Sequence, residues 1–350
     1  MTNTLPIYKN PGLSTECYHN CRLSILFAYP ELHPWIYSHF INLKVQNEDV
    51  NQFPMVRMEE HLEIYSEVLS EVPIYKDSSW NSSIISVLNK NHYVLVFLNW
   101  KHIRHSKYYK IKNIVHEAII YGYDHRKQTF NGLGFEIDGQ TFGEFEITYK
   151  ELERCLDLTI KDHLYKERWF AYYGFPVVSI SINNPTRSPA INKTQLFFSL
   201  DRSKVFDKDI CEEGSYANGH HVYLYLSYYF EELASHPQKL APKEYILWNI
   251  IQYKLLQHKK FNLGTIQQLI NESENKEIKR IQGLYKQSKR ELTKLRSLSL
   301  KYQQTNYIEH LSHISNGFYK VYELEKRINA FFKDYLVRQK IDKFSRENWQ

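Results

Sequence analysis

Glycine and proline are scarce in this 350-residue chain, at 12 and 11 residues. That scarcity excludes collagen-like and low-complexity disordered classes. Cysteine is also sparse. Cys17, Cys21, Cys155 and Cys211 are too few to staple a chain of this size, which needs no disulfide framework to fold. No P-loop and no G-x-G-x-x-G occurs, so the two commonest glycine-rich phosphate cradles are missing. No apolar run reaches the roughly 18 residues of a membrane span. The N-terminus, MTNTLPIYKN, has neither the basic nor the apolar region of a signal peptide. These absences predict a cytoplasmic protein with reduced thiols and no membrane partner. Around Cys211 and the His220-His221 pair there is no i,i+4 histidine pair and no C-x-x-C. Cys17-x3-Cys21 also lacks further ligands, so no metal or other cofactor is expected.

What is present is ordinary core material, 43% hydrophobic and 15% aromatic. It suffices for one large or two moderate domains. The net charge of +6 does not demand nucleic acid, and none is expected as a partner. Of that charge, Glu272–Glu347 alone contributes 17 Lys/Arg against 10 Asp/Glu. Thr15–Tyr29 predicts a buried helix, with Thr15 as N-cap and Glu16 in the first turn. Met58–Leu69 and Asn81–Asn89 read as short amphipathic helices. Tyr93–Leu98, Ile114–Tyr123, Thr129–Glu136 and Thr141–Ile147 read as strands, with turns at Asp124–Lys127 and Gly139. Thr148 and Glu151 have capping-box spacing for a helix to about Leu158. Residues 169–183 and 195–200 are β-prone, and Val222–Leu233 is helical. From Lys243 onward the pattern is helical, with Asn316-Gly317 as a break in its last apolar series. The expected class is α+β: residues 1–185 as a helix-then-antiparallel-sheet domain, and 186–350 as a mixed, then mainly helical region. The apolar spacing of the tail suits packing on its own domain or a homodimer through the C-terminal helices.

The residues with chemistry begin at Cys17, at the mouth of the first helix. A thiol there meets backbone N–H groups and the positive end of the helix dipole, which favours the thiolate. A cysteine nucleophile needs an imidazole to take and return its proton, and His116 stands at the head of a strand. A third residue would orient that imidazole. Alternation along the next strand puts Gly134, Glu136 and Asp138 on one face, so Glu136 is a candidate and Asp138 its rival. An oxyanion hole needs the Cys17 N–H and one side-chain donor, with Asn10 and Asn99 as candidates. The plainer alternatives are a core cysteine, a sheet-edge histidine bonded to backbone and a solvated acidic edge. Lys101–Lys112 is a basic, aromatic segment that reads as a solvated loop or a seat for a phosphate-bearing arm.

Two segments carry a family resemblance. Glu16-Cys-Tyr-His-Asn-Cys-Arg-Leu23 resembles the D-C-G-x-A-C-L start of the bacteriocin-leader cysteine peptidases, and His116-Glu-Ala-Ile-Ile-Tyr-Gly-Tyr-Asp124 resembles their His strand. The layout of FLNWKHIRHSKYYKIKNIVHEAIIYGYD, and of NGHHVYLYLSYYFEEL later, is closer to the butirosin-type acyltransferases of peptide antibiotic clusters. The resemblance implies a papain-like fold with Cys17 as nucleophile, His116 as base and Cys21 as a non-catalytic core residue. It also implies transfer of an acyl or peptidyl group from a carrier-protein phosphopantetheine thioester to a small-molecule or peptide acceptor, or to water. The family's Asp position falls near Gly134 or Phe135, and the peptidases' upstream Gln is missing. A small-peptide peptidase and a non-catalytic scaffold of the same fold are the alternatives.

Overall fold

A computed structural model describes residues 2–47, 53–104, 106–135, 142–163, 176–183, 190–203, 215–240, 244–273 and 275–339. In chain order its elements are β1 (Thr2–Thr4), α1 (Cys17–Leu26), α2 (His33–Ser38), β2 (Leu43–Gln46), β3 (Met55–Met58), β4 (Leu69–Pro73), α3 (Trp80–Leu88), β5 (Tyr93–Asn99), β6 (Val115–Asp124), β7 (Thr129–Phe135) and β8 (Phe142–Thr148). There follow α4 (Tyr149–His163), β9 (Val177–Ile182), α5 (Lys193–Asp201), β10 (Tyr216–Asn218), α6 (His221–Ser235), α7 (Glu244–Glu272), α8 (Lys276–Thr305) and α9 (Glu309–Arg338). The chain is α+β, with antiparallel sheets and a helical C-terminal region. Among the described residues no helix is long and apolar enough to cross a membrane.

The elements form two compact units, and the chain enters each of them twice. The first unit holds Met1–Pro30 and Leu62–Arg187; the second holds Glu31–His61 and Ser188–Gln350. The division therefore departs from a single cut near residue 185. The reason is strand pairing: β2 and β3 join β10 in one three-stranded antiparallel sheet, so residues 31–61 fold with the C-terminal segment.

The first unit is built on an antiparallel sheet in the order β4-β9-β5-β6-β7-β8, with β1 added against the end of β6. All seven residues of β5 are buried, as befits an apolar run paired on both sides and packed against α3 and α4. Helix α3 starts on a Ser79–Ser82 capping box. Thr148 Oγ1 accepts from Glu151 N at 3.2 Å to start α4. The expected helix over Met58–Leu69 does not form. Met58 pairs with Leu43, Leu69 pairs with Ile182, and only a 3-10 stretch, Leu62–Glu67, lies between. Long-range pairing overrides the local period there.

In the second unit α8 packs on α7 and α9, and α9 also packs on α6. The α8 series Ile278, Ile281, Tyr285, Leu292, Leu295 and Tyr302 is buried inside this unit, so the stripe that suggested a homodimer is already covered. Its two interrupting serines are buried as well and bonded: Ser288 to Glu325, and Ser299 to Gln252 and to the Leu295 carbonyl. Residues 195–200, expected as strand, lie in α5, whose Asn192 cap accepts from Gln195 N. Helix α9 runs through Asn316-Gly317 without a break.

Candidate functional site

Cys17 is the first residue of α1. Its N-cap is Glu16, not Thr15, and the Glu16 side chain makes no capping bond. Asn20 Oδ1 holds the entry to the helix by accepting from Leu13 N at 3.0 Å. Helix α1 packs on β6 and β7, and every residue from His19 to Leu26 is buried. His116 is the second residue of β6, opposite Leu98 of β5. The two elements bring Cys17 Sγ to 4.0 Å from His116 Nδ1. Cys17 is half-buried, and Cys21 is fully buried one turn further on.

The electrostatics run against the expected thiolate. Burial raises the Cys17 pKa, Glu117 and Glu16 raise it further, and the backbone N–H groups of Tyr18 and Cys17 only partly offset them. Burial also lowers His116 to about 4. The helix-terminus N–H groups do lower the thiol, as expected, but burial first, and then Glu117 and the N-cap Glu16, outweigh them. At neutral pH the resting pair is thiol and neutral imidazole.

A buried ion cluster lies beside this pair. Arg22, on α1, is 1% exposed. It donates to both carboxylate oxygens of Glu71, Nε at 2.6 Å and Nη2 at 2.8 Å, and its Nη1 lies 3.6 Å from Glu117. Glu117 is also buried. Burial pushes its carboxyl up to about 7, with Arg22 pulling down and Glu71 pushing further up. Sequence reading missed these three residues. The available signal was Arg22 as the one charged residue of a helix expected to be buried, and Glu117 as the one Glu of a mainly apolar strand, each needing a buried partner.

The other candidates fall elsewhere. Glu136 and Asp138 lie outside the described residues, as do Cys211 and the Gly139 turn. Asn10 is exposed in the lead-in to α1. Asn99 is buried, but its side chain closes the base of the 100–114 connection: Nδ2 donates to Asn113 Oδ1, and Oδ1 accepts from Lys101 N and Ile114 N. A buried amide with an open donor does occur on α1, at Asn20 Nδ2, three residues after Cys17. Among the described residues no group of three His, Cys, Asp or Glu is arranged to hold a metal ion. Comparison with protein-family models finds no match, and comparison with curated proteins finds no significant one.

Proposed function

We propose that this protein is a cysteine-dependent acyltransferase or thioester hydrolase with a papain-like first unit, Cys17 being the nucleophile and His116 its base. The observation that carries the reading is the 4.0 Å approach of Sγ to Nδ1 from residues 99 positions apart. Because the resting pair is uncharged, His116 Nδ1 takes the thiol proton as Sγ adds to the acyl carbonyl. The tetrahedral oxyanion is met by the Cys17 N–H at the mouth of α1. Collapse expels the substrate's thiolate, which takes the proton from His116 and leaves an acyl group on Cys17. An amine or water then attacks, His116 takes its proton, and Sγ leaves as the thiol. A neutral thiol suits a thioester better than an amide, since the leaving group is another thiol.

The proposed substrate is an acyl or peptidyl phosphopantetheine thioester on a carrier protein. The acceptor is a small molecule, a peptide or water, and the setting is specialised (peptide antibiotic) metabolism. These rest on the resemblance of the Cys17 and His116 segments to the butirosin-type acyltransferases. The second reading, a scaffold that keeps the fold without the chemistry, is favoured by the burial that raises the Cys17 thiol.

S-butyryl-N-acetylcysteamine, followed by intact-mass spectrometry, separates the two. A single butyryl adduct is expected on Cys17. It is absent in Cys17→Ala and slowed by about a hundredfold in His116→Ala, the usual worth of a general base. Its rate holds as pH falls from neutral and drops only near the His116 value of about 4. If Cys17 acylates no faster than Cys155 or Cys211, the catalytic reading fails and the scaffold reading replaces it.

A further inference from the structure

Helix α8 carries nine Lys/Arg and two Glu, an excess of seven, against +6 for the whole chain. Seven of the nine cations share one face, while Lys289 and Arg296 lie off it, half-exposed. Lys276, Lys279 and Arg280 in its first turns, Lys286, Arg290 and Lys294 in its middle and Lys301 near its end are all exposed. At 3.6 residues per turn they fall within an arc of roughly 120° and a length of about 38 Å. The opposite face is the buried apolar series. Three i,i+4 pairs, Lys276/Arg280, Lys286/Arg290 and Arg290/Lys294, set like charges one turn apart, which destabilises a helix. A face that only met water would relieve that by alternating signs.

The stripe has the form of a seam. Its cations recur on a period close to 3.5 residues, and the gap between Arg280 and Lys286 is held by Gly283, where an added Cβ meets nothing within 4 Å. Glu277 and Glu291 stand along one edge of the arc. Glu277 is taken by Arg338 at 3.1 Å, and Glu291 by Lys294 at 2.8 Å. Arg280 also lies over the Phe331 ring of α9, and Lys286 donates to Gln282 one turn back on α8, so these two cations are held in place.

We propose that the exposed face of α8 is a docking surface for an acidic amphipathic helix of a partner protein. A straight row of cations, open at Gly283, matches a straight partner with carboxylates at the same 3.5-residue spacing. A nucleic-acid duplex fits less well. Its phosphodiester strands wind about an axis, the glutamates on one edge repel a broad polyanion, and no aromatic ring stands in the arc for a base to stack on. This inference is independent of the Cys17–His116 chemistry.

The test is fluorescence anisotropy on the full chain at low salt. One labelled probe is a peptide of about 28 residues with Glu at heptad positions a and d on an Ala/Gln frame. A second has the same composition with Glu spread around the helix, and a third is a short DNA duplex. The patterned peptide should bind at least about tenfold tighter than the spread one, and weaken with added salt. The double variant Lys286→Glu/Arg290→Glu should lose at least about tenfold with unchanged circular dichroism, while Lys320→Glu, exposed on α9, should not change it. Equal binding of the two peptides, tighter binding of the duplex, no binding at all, or indifference to the double variant would overturn the proposal.

Discussion

Cys17 is where helix-terminus reasoning and burial meet, and burial wins. The same competition governs Glu117. Its folded carboxyl is raised from 4.5 to about 7, so between those values the folded state keeps a proton that the unfolded state has released. The contribution of Glu117 to stability therefore falls as pH rises through that window. Glu117→Gln removes the buried charge, while Arg22 keeps its two bonds to Glu71. The variant is expected to be more stable than wild type at pH 8 by on the order of 3 kcal/mol, with the difference nearly gone by pH 4.5. Urea unfolding at both pH values measures it. A variant less stable than wild type at pH 8 would mean that Arg22 holds the Glu117 anion better than burial penalises it. At this scale the sequence made residue types visible but not their surroundings. Cys17 and His116 are readable as a candidate nucleophile and a candidate base, while the acids beside the thiol depend on which side chains the fold buries together.

Elements were more legible than residues. Helices α3, α4, α6 and the long C-terminal run, and strands β5 to β8, follow the apolar period of their own segments. The failures have different causes. Met58–Leu69 has helical spacing, yet its ends belong to two strands whose partners, Leu43 and Ile182, lie far off in the chain. No local window contains that information. In α5, by contrast, the Asn192-x-x-Gln195 cap was readable, and the aromatic content of the segment masked it. Helix α8 supplies a prediction of its own. Gly283 sits in its interior, exposed, with open space where a side chain would go. Gly283→Ala should stabilise the protein by about 0.8–1.0 kcal/mol, the difference between the two residues inside a helix. A rise in the urea midpoint with unchanged slope reads it out. No rise would indicate that α8 is already frayed at Gly283.

For the whole molecule, the informative feature is the return of the chain to each unit. Composition gave no hint of it, because residues 31–61 look no different from their neighbours, and their assignment depends on β2 and β3 pairing with β10. A fragment of residues 188–350 keeps every long helix but lacks two of the three strands of its sheet. It should unfold at lower urea than the second unit within the full chain, by circular dichroism at matched concentration. Equal midpoints would show that the helices alone carry that unit.

This threading also sets a timetable for synthesis. The β2–β3 hairpin leaves the ribosome early, but β10, its third strand, ends at Asn218, 160 residues after Met58. At about 5–20 residues per second, the hairpin waits roughly 8–30 s with one edge open. The first unit, complete by Arg187, can close in the meantime. The nascent chain must therefore carry an unfinished sheet past a finished one, and that interval is when it is most exposed to chaperones and to neighbouring chains on the same message.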